Sequence, residues 1–553
     1  MSDAPLVPLF YLKIDGQQPR AELTADIETI TVESSLHMPD VATITLHDQE
    51  LRWADSDELS PGKPIMISAK VGRSEKPVFD GEVVEIEPIL EKGMKKLVVR
   101  AFDRLHRLAR GRSARRFVNI TDGDLVKKLA GEVGLEAKTG PTPDVHPYVL
   151  QANQTNLDFL QARAAALGYL LYVTKKTLHY EPPGARGEPI ALEWEKNLSE
   201  FRPRMSTVGQ LNEVTARGWD PAQRREIVGK ARTSKIQPKI GDGKSGGAVA
   251  KSAYSIEANY LITDRPLRTQ SMADKLAQAV VDQHASRFIE AEGICEGNPG
   301  IVAGAKLEIK NVGKRFGGTY FVTGATHQFG PGQFETHFNI SGLEPATLLS
   351  FLVPAENPPI PSGLVIGIVT DNNDPDKLGR VKLKFPWFAS DVDTDWVRTL
   401  VVGGGKERGI AFLPEVNDEV LVGFELGDFN HPYVLGGLWN GQDKPPAASK
   451  GGYQVSGGKV QERGIRSRTG HTITFDDSDR GGGIEIKDKK GNVIKLDTSS
   501  DALKIEVKGD ATITAQGNLS LESKGKIDIK GMGVSIDGGG GTVDVKGSMI
   551  NLN

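Results

Sequence analysis

Hydrophobic residues recur at every second position through much of the first 350 residues. Phe10-Tyr-Leu-Lys-Ile14, Ile27-Glu-Thr-Ile-Thr-Val32, Ala42-Thr-Ile-Thr-Leu46, Pro64-Ile-Met-Ile-Ser68 and Lys96-Leu-Val-Val-Arg100 follow this pattern. It predicts half-buried strands. The pattern returns at Lys306–Lys310, Tyr320–Thr323 and Thr336–Ile340. Three stretches change to helical spacing. Thr121-Asp-Gly-Asp124 is a capping sequence ahead of Leu125, Leu129 and Val133. Asn156 is placed to cap a helix carrying Leu157, Leu160, Ala164 and Leu167. Ser271-Met-Ala-Asp274 opens the longest, with Leu276, Val280, Val281, Ala285 and Ile289. The mixture predicts an α+β region whose separated strand groups suggest two small barrels.

Prolines 354, 358, 359 and 361 then predict a stiff, extended linker. Short strands follow at Leu364–Val369, Val381–Phe385, Glu419–Phe424 and Pro432–Gly436, with a turn at Asp374–Gly379. Such a run fits a small barrel of the OB kind, closed by Asp443-Lys-Pro-Pro446. The expected division is 1–355, 356–446 and 447–553.

The last part is different. No proline or tryptophan follows Pro446, and its only aromatics are Tyr453 and Phe475. Gly509, Gly517, Gly525, Gly533 and Gly541 are spaced by eight residues. Four residues before the first four lie Ile505, Ile513, Leu521 and Ile529. A fixed short period signals stacked β units, with aliphatics on one face and Lys, Asp, Glu or Thr on the other. One such chain cannot bury its aliphatic face, whereas several wound about a common axis can. The expectation is that those four aliphatics fill the axis and the five glycines make left-handed turns.

Composition narrows the classes. Of 553 residues, 38% are hydrophobic and 25% charged, which suits several globular cores. A formal net charge of −4 excludes a strongly basic nucleic-acid binder. The single cysteine, Cys295, allows no intrachain disulfide and no cysteine-rich metal site. Met1–Pro8 lacks a secretory pattern, so assembly in the cytoplasm without a signal peptide is expected.

The OB-like segment carries long matches to a known family. Gly367-Ile-Val-Thr-Asp371, Asp374–Trp387, Asp395-Trp-Val-Arg398, Phe412–Phe424, Gly427-Asp428 and Pro432–Gly441 resemble the OB domain of VgrG spikes. Asn153–Leu160 with Leu167–Tyr172 is similar to that family's hub, and Gly470–Asp477 to its needle entry. Asn417 stands where the family usually has glycine, and Asn is the next best residue for a left-handed turn. The resemblance implies a mainly β protein with some α, built from an α+β hub with two small barrels, an OB barrel and a C-terminal trimeric intertwined β-prism needle. It implies a homotrimeric central spike of a contractile injection system, non-enzymatic and without cofactor. Its partners would be a hexameric inner-tube protein, other baseplate subunits and a PAAR-repeat tip protein on Met549, Ile550, Asn551, Leu552 and Asn553. No nucleic acid is expected, and the target membrane is met only mechanically. The compact length suggests the extracellular phage-tail-like particles, so the spike would act in an extracellular or secreted particle. The rival readings are a cell-wall hydrolase spike and a stand-alone carbohydrate-binding β-prism adhesin.

Several residues invite chemistry. His327 and His337 flank Gly330-Pro-Gly332 and are metal-ligand types, but a third ligand is missing. Asp476, Asp477 and Asp479 resemble an acid cluster, yet successive strand residues point to opposite faces. Arg104, Arg107, Arg110, Arg112, Arg115 and Arg116 form a basic run, read as hub-surface or subunit-interface charge. Gly403-Gly-Gly-Lys-Glu-Arg-Gly409 lacks the phosphate-loop spacing. Cys295 has no catalytic partner in the pattern, and Trp387, Trp396 and Trp439 read as core or subunit contacts.

Overall fold

The computed structural model describes residues 10–343 and 363–551, apart from 37, 72–73, 184–186, 237–238, 242, 331–332, 390–391, 449, 451 and 480. The proline-rich linker, Leu552 and Asn553 lie outside the described residues. The chain divides into two compact units, Met1–Leu438 and Trp439–Asn553.

A ten-stranded sheet organises the first unit. Its spatial order is Phe10–Ile14, Pro64–Val71, Ser74–Glu91, Met94–Phe102, Val41–His47, Ile27–Ser35, Gly324–Gly330, Gln333–Ile340, Ile289–Glu296 and Leu198–Met205. Alternation places Ile30, Ile44, Ile67, Leu97 and Val99 in one core around Trp53. A second core holds Leu198, Ile289, Leu307, Tyr320 and Phe338. The two strand groups are therefore two cores sharing one sheet. Val32 pairs with His327 across the junction, joining strands far apart in sequence.

Helices Asp122–Glu132 and Asn156–Leu167 bury Leu125, Leu129, Leu157 and Leu160 in a third core. Thr121 caps the first as expected, its Oγ1 accepting the Asp124 N–H at 3.1 Å. The other two caps sit elsewhere than the sequence suggested. Thr155 caps the second helix, and Asn156 Oδ1 accepts from Arg115 and Gln151 instead. Thr269 caps Gln270–Ser286, while Ser271 Oγ donates to Asp144. Ile289 lies beyond that helix and opens a strand.

The OB-like sheet orders Lys382–Lys384, Val365–Asp371, Glu419–Phe424, Pro432–Gly437 and Arg398–Thr399. Its core of Val369, Val381, Leu383, Val420, Val422 and Val434 continues into Leu150 and Ala152 of strand Val145–Gln154. Asn417 adopts φ 76°, the left-handed turn expected of it. Asp374 organises the first hairpin. Its carboxylate accepts the N–H groups of Asp376, Leu378 and Arg380 and pairs with the Arg380 guanidinium at 2.6 Å. With the side chain 3% exposed, these bonds hold its pKa far below the carboxylate range.

Four arginines of the run, Arg104, Arg107, Arg115 and Arg116, make contacts within the first unit, whereas Arg110 and Arg112 are exposed. Arg107 makes a two-point contact with Glu82 (2.7 and 2.5 Å) and donates to Val133 O at 3.0 Å, tying the first core to the third. His106 Nε2 lies 2.7 Å from the same carboxylate. Buried Arg104 pairs with Asp80, and Arg115 with Glu132. Arg116 reaches Asp393 O of the OB-like segment at 3.3 Å. These partners lie far off in sequence, so the run by itself looked unpaired.

Two consequences are measurable. Arg107 and His106 hold the Glu82 carboxyl at about 2. A depressed carboxyl stabilises fully above its ordinary value near 4.5, and that contribution is lost as pH falls through about 2. Denaturant unfolding from pH 5 to 2 should show wild type losing stability more steeply than Glu82→Gln, which starts lower. Asp374→Ala should cost on the order of 2–4 kcal/mol, by removing an acceptor that leaves Arg380 and three N–H groups unpaired. Calorimetry of the full chain should show this as a lower melting temperature for the first unit.

Candidate assembly site

Sequence candidates for chemistry are not assembled into a reactive centre. His327 is fully buried, with Nδ1 3.0 Å from Thr336 Oγ1, and burial lowers its pKa to about 4. His327 pairs with Thr336, and His337 with Thr326, so the two rings lie on opposite faces of the hairpin. Among the described residues no group of three His, Cys, Asp or Glu side chains is placed to hold a metal. Asp476 accepts the Ser478 N–H, and Asp477 pairs with Arg463, so both act in turn and strand chemistry. Cys295 is buried, and burial pushes its thiol up to about 12. The glycine run at 403–409 forms an exposed hairpin closed between Gly405 and Arg408. Trp387 is 46% and Trp439 65% exposed, so neither is core, and Trp396 is half-buried under Lys382.

The second unit holds the unusual surface. Six strands form an antiparallel meander: Gln454–Ser456, Lys459–Arg466, Thr472–Asp476, Gly483–Lys487, Val493–Asp497 and Ala502–Glu506. Its register aligns Ile465, Ile473, Ile486, Ile494 and Ile505 in one row. Phe475, Ile484, Leu496 and Leu503 form a second row. Directly opposed residues share a face, so one side of the sheet is a continuous aliphatic surface. None of it is buried, and Leu503 and Ile505 are each 62% exposed. The Ile484-x-Ile486, Ile494-x-Leu496 and Leu503-x-Ile505 alternation was the sequence signal for this face. Ile505 belongs here, as the last member of its row, rather than to the repeat proper.

Beyond Glu506 the chain makes no strand pairs among the described residues. Bends recur at 508–509, 516–517 and 524–525, then at Met532 and 539–541. The eightfold period is therefore present as geometry. From Thr498 to Asn551 every residue is exposed. Ile513, Leu521 and Ile529 are 70–76% exposed, and Met549 and Ile550 are also open. The one backbone bond after Lys508 among the described residues is Gly541 N to Gly538 O at 2.8 Å.

The glycines correct the sequence reading. Gly509, Gly517, Gly525, Gly533 and Gly541 sit at or beside the bends, yet none has a left-handed φ. The left-handed pair is Gly539 (φ 59°) and Gly540 (φ 96°). A methyl group on Gly509, Gly517 or Gly533 would meet nothing within 4 Å. Neither backbone conformation nor packing within the chain calls for glycine at these points.

Comparison with known proteins agrees with the architecture. Residues 6–330 match the family described as the Alg8 N-terminal domain. Residues 365–439 match the type VI secretion system/phage-baseplate injector OB domain. The type VI secretion system spike protein VgrG5 of Pseudomonas aeruginosa is 25% identical over 64% of this chain and 46% of its own length. VgrG1b of the same organism is 27% identical over 27% of this chain and 20% of its own length. The chain thus spans less than half the length of these curated relatives. A solved E. coli protein shares the fold, with TM-score 0.51, 14% identity and coverage of 77% of this chain and 99% of its own. It is described as a component of the type VI secretion system with structural similarity to the T4 bacteriophage tail proteins gp27 and gp5. Matched over more than half its length, the chain belongs to the family of the Alg8 N-terminal domain, and it is similar to VgrG spike proteins.

Proposed function

We propose that three copies of this chain form the central spike of a contractile injection system. The spike joins the inner tube to a piercing tip, transmits axial force and catalyses no reaction. One observation carries this reading: a backbone with a strict period and exposed aliphatics that, among the described residues beyond Lys508, makes a single backbone bond within its own chain. Unpaired backbone groups and aliphatic faces need partners, and identical chains in register supply both. The glycines support it too, because a small residue without an intrachain reason suits a position where neighbouring chains approach closely.

The partners follow from the same reading. A hexameric tube protein and other baseplate subunits would meet the hub. A PAAR-repeat tip protein would meet Met549, Ile550 and Asn551, with the two residues beyond them. The division into a hub over 1–355, an OB-fold barrel over 356–446 and a needle over 447–553 goes with it. Assembly would occur in the cytoplasm and action in an extracellular or secreted particle. The phage-tail-like particle is the preferred subtype, and sheath and tube genes beside this one would identify it.

Native mass spectrometry of the full chain at micromolar concentration should give a trimer, and a clean monomer would sink the proposal. Ile494→Asp sets a charge in the exposed aliphatic row and should shift the population toward monomer, without altering the melting of the first unit. Amides from Gly509 onward should exchange slowly in wild type and within seconds in that variant.

A further inference from the structure

The bends recur every eight residues, and eight is even, so side-chain parity is conserved from one unit to the next. Odd-numbered positions from Ile505 to Ile529 carry only Ile, Val, Leu, Ala, Gly and Ser523. Even-numbered positions from Glu506 to Lys530 carry only Glu, Lys, Asp, Thr, Gln, Asn and Ser. On the trimer proposed above, odd positions face the axis and even positions face outward. One unit reverses this. Its odd positions are Gly531, Gly533, Ser535 and Asp537, and its even positions are Met532, Val534 and Ile536. The glycine spacing of eight runs unbroken from Gly525 through Gly533 to Gly541, so no inserted residue restores the phase. The aliphatic pattern returns to odd positions at Val543 and Val545.

We propose that Met532, Val534 and Ile536 of three chains form an outward apolar collar that seats in the interfacial layer of an anionic lipid bilayer. This rests on the trimer reading and adds a chemical contact to the mechanical one. The collar offers no hydrogen-bonding side chain, aromatic ring or arginine, the groups that anchor most protein interfaces. Its neighbours on the outward face suit phosphate headgroups. Lys524, Lys526 and Lys530 precede it against one carboxylate, Asp528. Asp528 pairs with Lys526 at 2.6 Å, and Lys524 and Lys530 have no ion-pair partner among the described residues. On the far side Asp544 and then Lys546 follow on the same face, so the positive charge lies mainly on the near side. An apolar band flanked by lysines is the arrangement that holds surface-bound segments at anionic membranes.

The test uses the full chain, with its oligomeric state checked first. Wild type should float with vesicles of equal phosphatidylglycerol and phosphatidylcholine, and far less with phosphatidylcholine alone. A Met532→Ser, Val534→Thr, Ile536→Thr variant should remain trimeric and lose about tenfold or more of its vesicle-bound fraction. Lys524→Gln with Lys530→Gln should lose the preference for anionic vesicles. Peroxide footprinting separates the two readings. In a trimer without lipid, Met549, at an odd position, should resist oxidation, while Met532 should oxidise as fast as exposed Met38. Anionic vesicles should then slow Met532 alone. Equal oxidation of Met532 and Met549 in a monomer overturns the trimer. Protection of Met532 in the lipid-free trimer overturns the collar by placing it on the axis. A trimer with exposed Met532 that ignores vesicles, or binds through the collar only to a protein, overturns the lipid assignment.

Discussion

Every residue of an extended chain carries a backbone donor and acceptor that must be paired or hydrated, and this constraint organises the whole molecule. In the sheets and helices described up to Glu506 it is met largely within the chain. The ten-stranded sheet, the OB-like sheet and the six-stranded meander pair their backbones by successive antiparallel neighbours and a few long-range contacts. Beyond Lys508 the described backbone is almost entirely unpaired within the chain and open to water, although the sequence there is the most regular in the protein. Regular order without internal partners suits a chain whose order comes from association. The exposed aliphatic rows of the meander express the same deficit in hydrophobic form, because their burial also requires something outside the chain.

The first unit is built in the opposite way. It is held together by contacts between residues remote in sequence. Arg107 connects Glu82 to the end of a helix, Arg116 reaches Asp393, and Leu150 enters the OB-like core. Arg268 pairs with Glu425 in the same fashion. Partly buried charge-assisted contacts of this kind fix geometry more than they add stability. Arg104, Arg107, Arg115 and Arg116 are engaged in such contacts within the first unit.

Failed site candidates share a physical explanation. His327 and His337 sit in the right strands, but the register places them in adjacent rungs of the hairpin, which puts the rings on opposite faces. Asp476 and Asp477 are satisfied by their own turn and by Arg463. Cys295 is sealed in a core where the thiolate is disfavoured. In each case residue type suggested chemistry and local geometry withheld it.

Much of the fold could be read from local patterns. Strands at Phe10–Ile14, Lys306–Lys310 and Glu419–Phe424 were marked by alternation, since burial of one face is a local period-two signal. The eightfold repeat and the Thr121 cap were likewise written in adjacent residues, while the left-handed Asn417 followed from the family resemblance. Tertiary structure decided what adjacency does not encode. Two cores share one sheet because Ile27–Ser35 pairs with Gly324–Gly330, strands remote from each other in sequence. Thr155 and Thr269, not their neighbours, cap helices because Asn156 and Ser271 are drawn to distant partners. The repeat glycines lie outside the left-handed region, since the bends close without it. Periodicity thus determined which faces must be buried, and long-range hydrogen bonding determined what buries them.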